Sequence, residues 1–215
     1  VSESHGALWL RSGSVLSSFY SLSCDLTRMA LAAYLCDLAC EVVGAAEPVS
    51  QTSDEAPDQM AVFGERLLRM LLNSLYVLEQ GTRLPALVKG VFEIRTAALS
   101  GFCPAVGGCA LCRDRYPAGS YLDVMNGRLL CDECKAKLNR GNAVGEQELG
   151  ERTLLVLLSA PVLSALRYAL AAPDKKIFSF SLEPSEAESF AGVTETFLLN
   201  HLERGFDTLN FYRSV

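Results

Sequence analysis

Four cysteines stand as two tight pairs, Cys109-x-x-Cys112 and Cys131-x-x-Cys134, with eighteen residues between the pairs. Each C-x-x-C closes a short knuckle that offers two thiolates to one ion at about 2.3 Å. Two knuckles complete the tetrahedron that structural zinc prefers, and four thiolates leave no open coordination position. The expected cofactor is therefore one zinc ion held by Cys109, Cys112, Cys131 and Cys134, in a role that stabilises rather than catalyses. The other reading is two unrelated, redox-active pairs. The segment between the pairs argues against it. Ser120 to Met125 and Arg128 to Cys131 flank Asn126-Gly127, a strong signal for a two-residue hairpin turn. A hairpin is the device that returns the chain to the first knuckle. The second knuckle opens a short helix, Cys131 to Leu138, whose N-terminal dipole favours thiolates, as do Lys135 and Lys137. Asp132 and Glu133 fall in that helix's first turn, where the dipole accounts for them.

Little else in the chain has the spacing of a reaction centre. No G-x-x-x-x-G-K-[ST], H-E-x-x-H or G-x-S-x-G occurs. His5 and His201 have no nucleophile in a suitable arrangement nearby. Cys36 and Cys40 are one helical turn apart, and with Cys24 and Cys103 they read as core packing, since free cysteine is among the most buried residue types. An enzyme is not expected.

Half of the 215 residues are hydrophobic and a fifth are charged, which is a globular rather than a disordered balance. Paired and scattered cysteines with no recognisable signal peptide suit a reducing, cytoplasmic setting. The net charge of −6 is unlike a dedicated nucleic-acid binder, so any such role must come from a local patch or from a part of the protein outside this sequence. Thr153 to Ala172 is apolar, but Arg167 lies within it and Pro161 interrupts it. It reads as a pair of buried core helices, not a membrane span.

The elements that must position the knuckles are helical. Ser14 to Val43 carries Leu31, Leu35, Leu38 and Val42 on one stripe. Glu47 to Asp58 reads as a loop. Pro57 to Gln80 presents Phe63, Leu67, Met70, Leu71, Leu75 and Leu78. Leu84 to Ser100 has a stripe of Leu84, Leu87, Val88, Val91 and Ala98 that includes Arg95. There the stem should pack and the head find a carboxylate, with ligand binding as the alternative. Asn139 to Gly150 is polar linker, Pro173 to Lys176 a turn, and Ser189 to Asn210 a last helix with Leu199, Leu202, Phe206 and Leu209 on one face. The fold class expected is mainly α: a helical bundle with a small, hairpin-containing zinc insert built on four cysteines.

The order of features is specific. Asp25-Leu-Thr-Arg-Met-Ala-Leu-Ala-Ala-Tyr-Leu-Cys-Asp-Leu38 is followed by Phe92-Glu-Ile-Arg95 and Leu99-Ser-Gly-Phe-Cys-Pro104. Then come Cys109-Ala-Leu-Cys112, Asn126-Gly-Arg-Leu-Leu-Cys-Asp-Glu-Cys134 and His201-Leu-Glu203. From about Ser12 onward this resembles the C-terminal domain of the bacterial recombination mediator RecO, although Arg113 stands where the family often has glycine. The resemblance implies residues 1–11 as the end of an N-terminal OB-fold. It further implies a helical domain over 12–102 and 141–215 and a zinc-binding insert over 103–140. It implies binding of single- and double-stranded DNA, strand annealing, and work with RecR and single-stranded-DNA-binding protein to load RecA.

Arg113, Arg115, Arg128, Lys135, Lys137 and Arg140 cluster around the knuckles and are the candidates for phosphate contact. Arg95, an arginine among apolar side chains, is the candidate for the acidic, apolar-ended tail of single-stranded-DNA-binding protein. The alternative function is a zinc-stabilised helical scaffold that docks proteins without touching DNA.

Overall fold

The computed structural model describes residues 2–4, 7–9, 11–45, 56–117, 119–139 and 153–215. Its elements run β1 (Ser2–Ser4), β2 (Ala7–Trp9), α1 (Leu26–Ala45), α2 (Ala56–Gln80), α3 (Pro85–Leu99), β3 (Ala105–Cys109), β4 (Ser120–Asp123), β5 (Arg128–Cys131) and α4 (Asp132–Asn139). Then follow β6 (Leu155–Leu158), α5 (Ala160–Ala171), α6 (Pro184–Leu202) and α7 (Asp207–Ser214). The mainly α class with a small β-containing cysteine lobe is what the sequence led us to expect. At the start of the chain two short strands pair antiparallel, with Ser2 opposite Trp9.

Helix α3 is the axis of the body. Its residues from Ala86 to Ile94 are buried without a break, which puts every side of the helix in the core. A stripe reading was therefore too narrow, and it also claimed Leu84, which is exposed. Helix α6 crosses α3 closely because Gly90 has no side chain: a Cβ there would lie 2.6 Å from ring carbons of Phe190. Helix α1 buries its stripe of Leu31, Leu35, Leu38 and Val42, with Tyr34 beside it, and α7 packs along α1 through an edge-on contact of Tyr34 with Phe206.

Two buried charges on α3 have no precedent in the sequence reading. Lys89 Nζ lies 2.9 Å from Glu93 Oε1, one turn along the helix, and 2.8 Å from Glu195 Oε2 on α6. The Tyr34 hydroxyl and the Thr194 hydroxyl each donate to Glu93 at 2.8 Å, and Arg213 on α7 pairs with Glu195. The cluster joins α1, α3, α6 and α7. Burial pushes the Glu93 carboxyl above its usual range, against the pull of Lys89, Thr194 and Tyr34. Burial and the adjacent Glu93 push the Tyr34 phenol far up. Burial would also raise Glu195, but Arg213 and Lys89 hold it below the ordinary value.

Four expectations fail for local reasons. The first helix does not begin at Ser14: Phe19 sits at φ 48, a 3₁₀ turn follows over Tyr20–Cys24, and Asp25 caps the α-helix by accepting the Arg28 N–H at 3.1 Å. Leu155–Leu158 is a strand, not helix. Ser159 caps α5 by accepting the Val162 N–H at 3.3 Å, and Pro161 fits its first turn, so the apolar run before them is free to extend. The last helix is two, because Glu203 at φ 51 ends α6 and α7 starts afresh at Asp207. Cys24, Cys40 and Cys103 are exposed and only Cys36 packs, half-buried, against the core.

The loop expected over 47–58 lies outside the described residues up to position 55 and is helical from Ala56. The linker expected over 139–150 lies outside them from position 140. Among the described residues no helix is long and apolar enough to cross a membrane.

Candidate metal centre

The lobe that carries the cysteines is a four-stranded sheet in the order β3-β5-β4-β6. β3 runs parallel to β5, while β4 is antiparallel to both β5 and β6. β6 comes from beyond the segment 140–152, so the lobe takes its last strand from the second half of the chain. Val106, Leu122, Leu129 and Leu158 belong to the same buried cluster as the helices, which makes lobe and body one core.

The hairpin between the pairs is present, but its loop holds four residues rather than two. Asp123 pairs with Arg128 across the ladder, leaving 124–127 as the turn, with Gly127 at φ 58. The buried Asp123 carboxylate sets this longer loop. It accepts from the Asn126 side chain at 2.8 Å, the Asn126 backbone N–H at 3.3 Å and Arg128 Nε at 3.0 Å.

β3 ends in the first knuckle and β5 in the second, and the two strands are neighbours. The four sulfurs accordingly lie within 4.8 Å of one another. Cys112 Sγ and Cys131 Sγ stand 3.7 Å apart; sulfurs at about 2.3 Å from one tetrahedral ion would be about 3.8 Å apart. Backbone N–H groups point at the sulfurs, from Cys131 to Cys109 Sγ and from Cys134 to Cys131 Sγ, each at 3.4 Å. Within the first knuckle, Arg113 N–H donates to Cys109 O and Cys109 N–H to Asp114 O, both at 2.8 Å. Arg113 takes φ 64 to close this turn, so the left-handed geometry that suits glycine is kept by a residue that bears its strain.

Burial would raise the Cys109 thiol, but N–H groups of Cys112, Leu111 and Cys131 bring it down to about 7. Burial and the neighbouring sulfurs push Cys134 well up, and burial does the same to Cys131. Four crowded sulfurs cannot all ionise unaided, and a divalent cation at their centre removes that obstacle. The donor set and its geometry fit a soft, tetrahedral ion.

The cations named from the sequence are dispersed around this centre. Arg113 and Arg115 are exposed on the knuckle loop and Lys137 on α4. Lys135 lies with its ammonium 3.6 Å above the Tyr121 ring. Arg128 is committed to the buried Asp123. Arg140 lies outside the described residues. Arg95 stands elsewhere, on α3. It donates to the carbonyls of Leu170 and Ala172 at 3.3 and 3.1 Å and pairs with Asp174. It borders a shallow cavity of about 160 Å³ with Arg66, Met70, Leu99 and Cys103.

Sequence reasoning missed the latch between lobe and body. Arg167 on α5 donates from Nε to Val106 O at 2.8 Å and from one terminal nitrogen to Arg115 O at 2.6 Å. A charged residue inside an apolar helix was its signal. His201 is packed among aromatic rings. It lies between Phe197 and Phe102, ring centroids 4.2 and 5.0 Å away.

A helical body with a four-cysteine lobe threaded between its third and fifth helices defines a module with a candidate metal centre and, among the described residues, no built reaction centre. The chain belongs to the RecO family: residues 63–210 match the family described as "Recombination protein O C terminal". It is 26% identical over 201 residues to the DNA repair protein RecO of Acetivibrio thermocellus, covering 94% of this chain and 68% of that protein. It is 24% identical over 209 residues to that of Caldicellulosiruptor bescii, covering 96% and 71%. With the protein of the same name from Syntrophus aciditrophicus it shares 31% over 129 residues, 59% of this chain and 43% of the relative.

Proposed function

We propose that the chain acts as a RecO-type mediator of DNA repair and recombination, binding DNA and partner proteins without turnover. The observation that carries this reading is the RecO-family body joined to a four-cysteine lobe whose knuckle and helix display exposed cations. The ion is zinc, chosen by four thiolates in tetrahedral spacing, and Cys109, Cys112, Cys131 and Cys134 are its ligands. Its role is to close the knuckle loop and hold α4. Arg113, Arg115 and Lys137 make no ion pair with other described residues, and with Lys135 and Arg140 they meet phosphates. Arg128 shapes the hairpin behind them. The activity is annealing of complementary single strands and help, with RecR, in loading RecA, in the cytoplasm. The chain is organised as a helical domain over 12–102 and 141–215, an insert over 103–140 and, at 1–11, the end of an OB-fold.

The cavity beside Arg95 favours a second, protein-docking role. Arg66, exposed on its rim, and Arg95 with its apolar neighbours suit the acidic, apolar-ended tail of single-stranded-DNA-binding protein.

The test is annealing of two complementary labelled oligonucleotides by metal-loaded protein at low and moderate salt. Acceleration that falls with salt, and falls further in an Arg115→Glu/Lys137→Glu variant, is the expected result. Each lost phosphate contact should lower the logarithmic salt slope of single-strand binding by about 0.7. No acceleration at low salt would remove the DNA role and leave protein docking.

A further inference from the structure

We infer that the first knuckle loop is a stacking platform for single-stranded nucleic acid, with Tyr116 as the residue on which a base lies. The inference deepens the DNA-binding reading above and rests on it. Tyr116 is 84% exposed, among the most open large side chains of the described residues. Burial gives no reason for an aromatic ring there.

Its surroundings are built rather than loose. Tyr116 N–H donates to Asp114 Oδ1 at 3.0 Å, which fixes the backbone at the ring and engages the loop's one carboxylate. The Arg167 guanidinium lies 5.6 Å from the ring centroid while the same side chain holds Arg115 O at 2.6 Å and Val106 O at 2.8 Å. A cation behind one face leaves the rest of the ring open. A base laid on it would complete a stack of guanidinium, phenol and base, an arrangement favoured by the quadrupole of the ring. Arg113 and Arg115, exposed on the same loop, supply the cations that track the backbone of the strand. Exposed Leu111, on the tip between the two cysteines, extends the apolar surface.

Aromatic stacking beside free cations is how proteins grip single strands without reading their sequence. A duplex keeps its bases stacked on one another, so the platform selects unpaired strands.

The experiment measures binding of metal-loaded protein to a labelled oligothymidine and to a duplex of equal length at low salt. Tyr116→Ala should weaken single-strand binding about fivefold or more, with duplex binding and melting temperature unchanged. Tyr116→Phe should keep the wild-type affinity. A Tyr116→Trp variant should lose fluorescence on adding oligothymidine, against the constant signal of Trp9, the chain's single tryptophan. Equal single-strand affinity in wild type and Tyr116→Ala overturns the platform and leaves DNA binding standing. Absence of any DNA binding by the wild type overturns both.

Discussion

Lys89→Met tests whether the buried cluster is electrostatically closed. Lys89 is the cation that touches Glu93, whose side chain is fully buried, and methionine keeps the volume while removing the charge. Glu195 retains Arg213, whereas Glu93 is left with two neutral donors, the hydroxyls of Tyr34 and Thr194. Breaking a buried pair on one side costs about 3–5 kcal/mol. The carboxyl has an escape, which is to take up a proton. From an unfolded value of about 4.3, neutralising it at pH 7 costs about 1.4 kcal/mol for each of roughly 2.7 pH units, or about 3.7 kcal/mol. That figure caps the penalty.

The pH dependence follows with a definite sign. In the variant the folded-state pKa of Glu93 lies above its unfolded value, so the folded protein carries the extra proton. Stability relative to wild type must therefore rise as pH falls from 7, by up to about 1.4 kcal/mol per unit, and level off where Glu93 of the wild type, itself held above its usual range, takes up the proton too. Urea denaturation from pH 7 to 4.5 measures it. Adding Glu93→Gln should recover most of the loss, since an amide oxygen still accepts a hydroxyl bond. A deficit under about 1 kcal/mol at pH 7, or one that does not change with pH, would refute the reasoning.

Two further perturbations address the lobe. Arg167→Ala removes the donors to Val106 and Arg115 and leaves two carbonyls to find water. It should cost about 1–3 kcal/mol and speed amide exchange in 105–117 while exchange in α3 stays slow; uniform acceleration would deny the latch. Stripping the metal with a chelator should release about one ion per chain and unfold the knuckles. Cobalt in its place should give the intense visible bands of a tetrahedral thiolate site. Four freely alkylated thiols in freshly prepared protein, with no bound metal, would argue for redox pairs instead.

The grouping of the four cysteines was legible because their spacing is itself the constraint: two short knuckles and a turn between them allow few arrangements. The strands that carry them were half legible. Asn126-Gly127 marks a turn, but the length of the loop depends on Asp123, whose buried carboxylate cannot be told from a surface one by position. Leu155–Leu158 reads equally as helix or strand, since a short apolar run has no period of its own, and its pairing partner β4 lies far back in the sequence. Lys89 and Glu93 look like an ordinary exposed pair one turn apart. Their burial depends on α6 crossing at Gly90, a tertiary fact. Arg95 shows the converse: its stem among apolar neighbours was readable, while its partners at the end of α5 were not.

The strand β6 has a consequence for synthesis. All four cysteines have been made once Cys134 is polymerised, so capture of the proposed ion need not wait for β6. The open side of β4 then waits until Leu155–Leu158 has left the ribosome. During that interval Tyr121 and Leu122 sit on a strand with unpaired backbone groups, which is a template for a second nascent chain. Delay in translating the polar stretch before β6 should therefore act on yield of soluble protein rather than on metal content, separating two properties that the finished fold makes look like one.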